Sequence, residues 1–254
     1  SRFGTPNFAA HGGFCSVNVA AAGMYSIGGS FWEFGEVDWE HTRYLMMFGV
    51  AEDHDSNPIK IGLGSLRSKV QAKIVSINPV QTGYAALADE WIGIRPGSDG
   101  LLVFALIHEL LKADKVDGEF LARYTNAPWL VIDAPGTAQH GLFARNEEGH
   151  PLCFDGRQNK IVGALTAETQ PILAGVRQLA DGTKVVPVFE LMAQRYLDPA
   201  YAPEQVESKT GIPAATIRRL AGELAHAAFA QQVVLDVPWT DWAGRRHEKM
   251  IGRP

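Results

Sequence analysis

Short, dense apolar runs alternate along the chain with longer stretches whose apolar residues recur every three or four positions. Residues 44–50 (YLMMFGV) form a continuous apolar run, too short for a helix and closed by a glycine. A strand buried on both faces has that appearance. The next stretch begins polar (AEDHDSNP) and then spaces Ile59, Ile61, Leu63 and Leu66 as a helix does. AKIVSINP (72–79) reads as a second strand ended by Asn78-Pro79, TGYAALADE (82–90) as a short helix, and WIGI (91–94) as a third strand. The turn RPGSDG follows, with Ser98 or Asp99 placed to cap the helix LLVFALIHELLKA.

Residues 126–187 change character. They are rich in Gly, Pro and Asn with short apolar runs, and predict a loop-rich insertion of hairpins rather than part of the sheet. Helical spacing returns in PVFELMAQRYL, in APEQVESKTG and most clearly in PAATIRRLAGELAHAAFA. Thr210 stands ahead of that last helix as a cap candidate, with Pro213 in its first turn. QVVLDVPW (232–239) reads as a final buried strand. The alternation predicts a doubly wound α/β fold, a Rossmann-like variant. In it, strands at 44–49, 72–77, 91–94 and 232–237 share one mostly parallel sheet with helices on both faces.

Composition narrows the function classes. The 254 residues are 46% hydrophobic and 20% charged, with a net charge of -5 and no block of Lys and Arg. That balance leaves no electrostatic footprint for nucleic acid or an anionic membrane. No apolar run approaches the roughly eighteen residues that a spanning helix needs. The chain opens on Ser1-Arg2-Phe3 without a methionine and stops after GRRHEKMIGRP, and we take it as a piece of a longer protein, 1–254 being one domain. The compartment stays open between cytoplasm and periplasm. Two cysteines, Cys15 and Cys153, make neither a disulfide framework nor a zinc site. Cys153 lies between turn residues and reads as a structural bystander.

In an open α/β sheet, ligands bind where the carboxyl ends of the strands open. Three segments occupy such ends: FGVAEDHDSNP, INPVQT and RPGSDG. Singly, each is what an ordinary loop looks like. Together, at successive crossovers and rich in carboxylates and amides, they point to a nucleotide-like ligand. No G-x-G-x-x-G follows the first strand and no P-loop is present, so the usual nicotinamide and ATP readings lose their main support. An NAD(P)- or nucleotide-using enzyme and a non-catalytic binding domain remain as alternatives.

The ordered motifs carry a resemblance. Phe48-Gly49, Asp55 and Pro58, then Pro79, Thr82, Ala85 and Ala88-Asp89, then Pro96-Gly97 and Asp99, resemble the core of the molybdopterin oxidoreductases of the dimethyl sulfoxide reductase class. TGIPAATIRRLAGELA is also similar to a helix of those enzymes. The chain departs from the pattern at Val50-Ala51, where G-x-N is usual, and at Asn78 and Val80, where the Asp and Arg of D-P-R are usual. The resemblance implies a molybdenum bis(molybdopterin guanine dinucleotide) cofactor held by Gly49, Asp55, Ser56, Asn57, Asn78, Thr82, Gly97 and Asp99, with Asp99 accepting from guanine.

In the formate dehydrogenase and periplasmic nitrate reductase branches, a G-T-x-N-like segment precedes the metal-ligating Cys or selenocysteine by eight residues. Here Asn7 precedes Cys15 by eight, which implies Cys15 as the catalytic ligand to molybdenum. A soft thiolate suits that metal, and Gly12 and Gly13 let the backbone come close to a bulky group. Ser16 stands where formate dehydrogenases place a His, which argues against formate. The segments AAHGGFCSVN and DWEHTRYLMMFGVAEDHDSNPIK look most like the catalytic subunits of sulfur-compound enzymes. The resemblance further implies a small-molecule substrate, a [4Fe–4S] cluster in the missing N-terminal part, and iron–sulfur and membrane-anchor partner subunits.

Overall fold

The computed structural model describes residues 4, 12, 16–26, 28, 37–50, 59–81 and 83–254. The chain divides into two compact units, 1–39 and 40–254. In the first, helix α1 (Ser16–Ser26) is closed by the Gly28 N–H donating to the Gly23 carbonyl at 3.2 Å, with Gly28 at φ 73°.

The second unit is built on a parallel sheet ordered β1 (Tyr44–Phe48), β2 (Lys73–Ile77), β3 (Glu90–Ile92). The β1–β2 crossover carries α2 (Ile59–Ser65), which runs on as one π-helical stretch, Leu66–Val70, and stops at Gln71 in the left-handed region (φ 57°). Among the described residues the β2–β3 crossover holds a 3-10 turn, Gly83–Ala86, where the sequence predicts a short helix over 82–90. After β3 come α3 (Asp99–Lys112) and α4 (Gly118–Tyr124).

Residues 126–187 form antiparallel structure. Strands β4 (Leu130–Ile132), β7 (Arg177–Gln178) and β8 (Lys184–Pro187) make one sheet in the order β4-β8-β7, and β5 (Leu152–Asp155) pairs with β6 (Lys160–Gly163) as a hairpin. Three helices follow: α5 (Val188–Tyr196), α6 (Pro203–Thr210) and α7 (Ala214–Ala230).

Alternation along β2 explains the layering. Val75 and Ile77 join Ile92, Ile94, Leu102, Leu106, Val206, Ile217 and Leu220 in one core cluster, so α3, α6 and α7 cover that face. Ile74 and Ser76 point the other way and are also buried. A parallel strand inside an α/β fold must be covered on both sides, and β2 is. The fold is α/β with a parallel sheet, as the pattern predicts.

Three local expectations are corrected. Residues 232–237 do not join the parallel sheet: β9 (Val233–Leu235) pairs antiparallel with β12 (Met250–Gly252), and a separate hairpin joins β10 (Trp239–Thr240) to β11 (Arg246–His247). Val234 is 48% exposed, so this run is half-buried rather than covered on both faces. Thr210 does not cap α7. Its hydroxyl turns back to the Val206 carbonyl, and the Ala214 N–H is taken by the Glu207 carboxylate at 3.1 Å. Ser98 holds the N-cap position of α3, but its hydroxyl donates to the Arg95 carbonyl at 2.6 Å instead of accepting from the helix.

Candidate functional site

Register brings the candidate loops to one edge. Phe48 pairs with Ile77 and Ile77 with Ile92, so the three strands end at the same level. The ladder continues one step beyond them: the Gly49 N–H donates to the Ile77 carbonyl at 2.9 Å, and the Asn78 N–H to the Ile92 carbonyl at 3.1 Å. Gly49 and Asn78 therefore leave the sheet side by side.

Each loop has a local reason for its shape. Gly49 takes φ 59°, a conformation that side chains with a Cβ disfavour, and no atom among the described residues lies within 4 Å of where its Cβ would stand. Asn78 closes a small turn on itself, its side-chain carbonyl accepting from the Val80 N–H at 3.2 Å, which leaves the amide NH2 to donate elsewhere. The Trp91 indole N–H reaches across to the Asn78 carbonyl at 3.0 Å. A Cβ at Gly93 would stand 3.1 Å from the Trp91 ring, so a side chain there would ask the folded-back indole to shift by a few tenths of an ångström.

The third loop is a type II turn. The Ser98 N–H donates to the Arg95 carbonyl at 3.2 Å, Pro96 takes the second position, and Gly97 takes the third at φ 79°. Space beyond Gly97 is open among the described residues. The turn delivers Asp99 as the first residue of α3, half-buried, where the partial positive charge of the helix N-terminus favours a carboxylate. Among the described residues nothing donates to that carboxylate and no cation pairs with it.

The opposite edge of the sheet is satisfied internally. The first residues of the three strands, Tyr44, Lys73 and Glu90, join Arg219 and Glu223 of α7 in one network. Glu223 accepts from the Tyr44 hydroxyl at 3.1 Å, from Lys73 at 2.7 Å and from Arg219 at 2.9 Å. Burial, reinforced by the adjacent Glu223, pushes the Tyr44 hydroxyl well above its ordinary range. Asp89, part of the motif running from Thr82, also serves this edge. Burial acts to raise its carboxyl, but the Ile74 N–H (2.8 Å) and Arg67 (2.7 Å) outweigh that and hold it below the usual carboxylate range. Two cavities of about 400 and 410 Å³ lie away from the carboxyl edge, one between α3 and α7 and one beside Tyr44 and Lys73.

Of the residues predicted to bind, the structure places Gly49 and Asn78 together at the carboxyl edge, and Gly97 and Asp99 in the turn that follows β3. Asp55, Ser56, Asn57, Thr82 and the candidate ligand Cys15 lie outside the described residues. Cys153 is wholly buried in β5, and burial pushes its thiol up to about 11, so it is chemically inert packing. Trp91 and Gly93 escaped the motif reading, because an indole folding over a glycine two residues on leaves no mark in apolar periodicity. Arg95 escaped it too, although RPGSDG reads as a turn.

No family model matches the chain. Along its whole length it is 47% identical to a sulfite dehydrogenase subunit of Allochromatium vinosum, covering 27% of that protein. Over half its length it is 33% identical to the thiosulfate reductase molybdopterin-containing subunit PhsA of Salmonella typhimurium, 16% of which it covers. Over 87% of its length it is 25% identical to a tetrathionate reductase subunit of the same organism, 24% of which it covers. The chain thus spans about a quarter or less of these relatives. Among solved structures, acetylene hydratase from Pelobacter acetylenicus superimposes on 90% of the chain with a TM-score of 0.51 at 17% identity, over 22% of that protein. That likeness concerns the fold.

Proposed function

We propose, on the premise that this chain is a relative of the molybdopterin oxidoreductases of the dimethyl sulfoxide reductase class, that residues 1–254 are the central guanine-dinucleotide-binding α/β domain of a longer catalytic subunit. The excursion at about 126–187 would be an insertion in that domain. Asp99 carries the reading: a half-buried carboxylate, unpartnered among the described residues, set on a Pro-Gly turn that follows the third strand. Guanine presents two adjacent donors, N1–H and the exocyclic N2 amine, and a carboxylate accepts both at once.

The residues present fit such a group. Space is open above Gly49 and Gly97 among the described residues, so backbone can approach a pyrophosphate there. The free NH2 of Asn78 can donate to a ribose hydroxyl, though without the charge of the aspartate usual at that place. Asp55, Ser56, Asn57 and Thr82 would complete the cradle from the first two loops, and Cys15 would supply a thiolate to the metal. The bound cofactor, a molybdenum bis(molybdopterin guanine dinucleotide), would supply two-electron or oxygen-atom transfer. The protein holds and orients it and keeps its guanine end out of water.

The relatives named for sulfite, thiosulfate and tetrathionate support an inorganic sulfur compound as the small-molecule substrate. On the same reading, a [4Fe–4S] cluster in the rest of the catalytic polypeptide passes electrons to an iron–sulfur partner and a membrane anchor. The test is elemental analysis of the full-length protein, together with fluorescent pterin oxidation products and the nucleotide released by acid. Molybdenum, pterin and GMP in fixed proportion are expected. Nicotinamide or adenine nucleotide without pterin would favour the NAD(P) alternative, and none of these would leave a binding domain without a cofactor.

A further inference from the structure

One motif stays unused by the carboxyl-edge site: Thr210-Gly211-Ile212-Pro213, at the junction of α6 and α7. Its backbone is held firmly. Thr210 is fully buried, its hydroxyl donating to the Val206 carbonyl at 3.0 Å and accepting from the Ile212 N–H at 3.2 Å. Gly211 takes φ 78° and donates to the Glu207 carbonyl at 2.9 Å. Ile212 is sealed into the core.

Arg95 connects this junction to the Asp99 turn through two hydrogen bonds and a packing contact. Its N–H donates to the Thr210 carbonyl at 2.9 Å. Its side chain crosses Gly211, within ordinary contact of where a Cβ would be, and Nη1 donates to the Ser208 carbonyl at 2.6 Å. Its own carbonyl accepts twice from Ser98, from the N–H at 3.2 Å and from the hydroxyl at 2.6 Å. Ser98 directly precedes Asp99, so the turn is tied through Arg95 to the α6–α7 junction on another element.

We propose that Arg95 is a positioning residue: by clamping the 95–98 turn to the α6–α7 junction, it holds the Asp99 carboxylate where both guanine donors can meet it. The inference rests on the guanine reading of Asp99. A bidentate contact tolerates little displacement, so a turn left to hinge loses it even with Asp99 intact. The guanidinium acts here through its hydrogen bond to the Ser208 carbonyl. Lysine keeps a charged donor on a stem one atom shorter, whereas methionine keeps the packing over Gly211 and loses the donor.

The experiment uses the full-length protein, with Arg95→Met, Arg95→Lys, Asp99→Asn and the Arg95→Met/Asp99→Asn double variant. The readout is the rate at which acid-releasable GMP is lost from gel-filtered protein, beside the thermal midpoint of cofactor-depleted protein. Arg95→Met should lose guanine nucleotide about threefold to tenfold faster than the parent. Arg95→Lys should return to within about twofold, because its ammonium restores a charge-assisted hydrogen bond. The double variant should be no faster than Asp99→Asn alone, since both changes remove the same contact. The depleted proteins should melt together. Parental retention in Arg95→Met beside a leaky Asp99→Asn, or effects that multiply in the double variant, overturns the clamp while leaving Asp99 in place. Parental retention in Asp99→Asn overturns the guanine reading and the clamp with it. Should Arg95→Met fail to accumulate, Arg95→Gln is measured against the same outcomes.

Discussion

Asp99 occupies a position with two physical uses, and they respond differently to substitution. As an acid in the first turn of α3 it complements the helix dipole, worth about 0.3–1 kcal/mol at an exposed end. As the proposed acceptor for guanine it would leave buried donors unpaired if lost, at about 1–3 kcal/mol. Asp99→Ala in the full-length protein should therefore lower molybdenum and guanine content clearly, while the cofactor-depleted protein melts within a few degrees of the parent. A full molybdenum complement in the variant would reduce Asp99 to its helical role. Cys15 is proposed as the metal ligand because its segment resembles the family's G-T-x-N pattern followed by a ligating Cys. In the full-length protein, Cys15→Ala should nearly abolish turnover and retain much of the molybdenum, with X-ray absorption showing one fewer sulfur scatterer. An unchanged sulfur count would end that assignment. Both assignments began as what a family resemblance implies. Asn78 and Arg95 show where spacing stops: one turns its side-chain carbonyl onto its own backbone, and the other works through elements more than a hundred residues away.

At the scale of elements, the 239–247 hairpin gives a pH-dependent expectation. The Asp241 side chain is wholly buried and accepts from the N–H groups of Ala243 (3.0 Å) and Arg245 (2.9 Å). It also bonds the Arg245 guanidinium (2.8 Å) and the His247 ring (3.2 Å). The Trp239 ring stacks on His247 at 4.4 Å. Burial alone would raise this carboxyl, but these partners bring it down to about 2. An unfolded aspartate titrates near about 3.9, so the folded group is the stronger acid. Its stabilisation is complete above about pH 4 and is lost as the pH falls through about 2. Tryptophan fluorescence should report loosening of the hairpin in that acid window, and Asp241→Asn should remove the step. A parental acid titration in Asp241→Asn would show that other carboxylates control it. Apolar periodicity did not announce this hairpin, because its order comes from one buried acid and its near neighbours rather than from strand length.

At the scale of the second unit, a large buried cluster forms where the parallel sheet meets α3, α6 and α7. Ile217 is fully buried at that meeting, beside Ile77, Leu102 and Leu220. Ile217→Ala removes three carbons from a site where sheet and helices close in from several sides. Urea unfolding should show a loss of about 2–5 kcal/mol with little change in slope. A loss under about 1 kcal/mol would mean that the helices repack around the gap. The same assembly gives the sheet its polarity. Ion pairs bind α7 to the amino edge, while the carboxyl edge keeps an unpaired carboxylate and open glycines among the described residues.

The strands near 44–48, 73–77 and 91–92, the helices α3, α5, α6 and α7 and the turn at Pro96-Gly97 were legible in the sequence, whereas α4 was not. Apolar periodicity and turn chemistry are local properties, expressed within a few residues of the groups that cause them. Tertiary structure decided the rest. It sent 233–235 to pair with 250–252, turned Thr210 inward to finish its own helix, aligned Phe48, Ile77 and Ile92 at one level, and joined Arg95 to a junction over a hundred residues away. Strand register and the choice of hydrogen-bond partner depend on which distant surfaces meet. An apolar run specifies that it must be covered, and only the packed chain specifies by what.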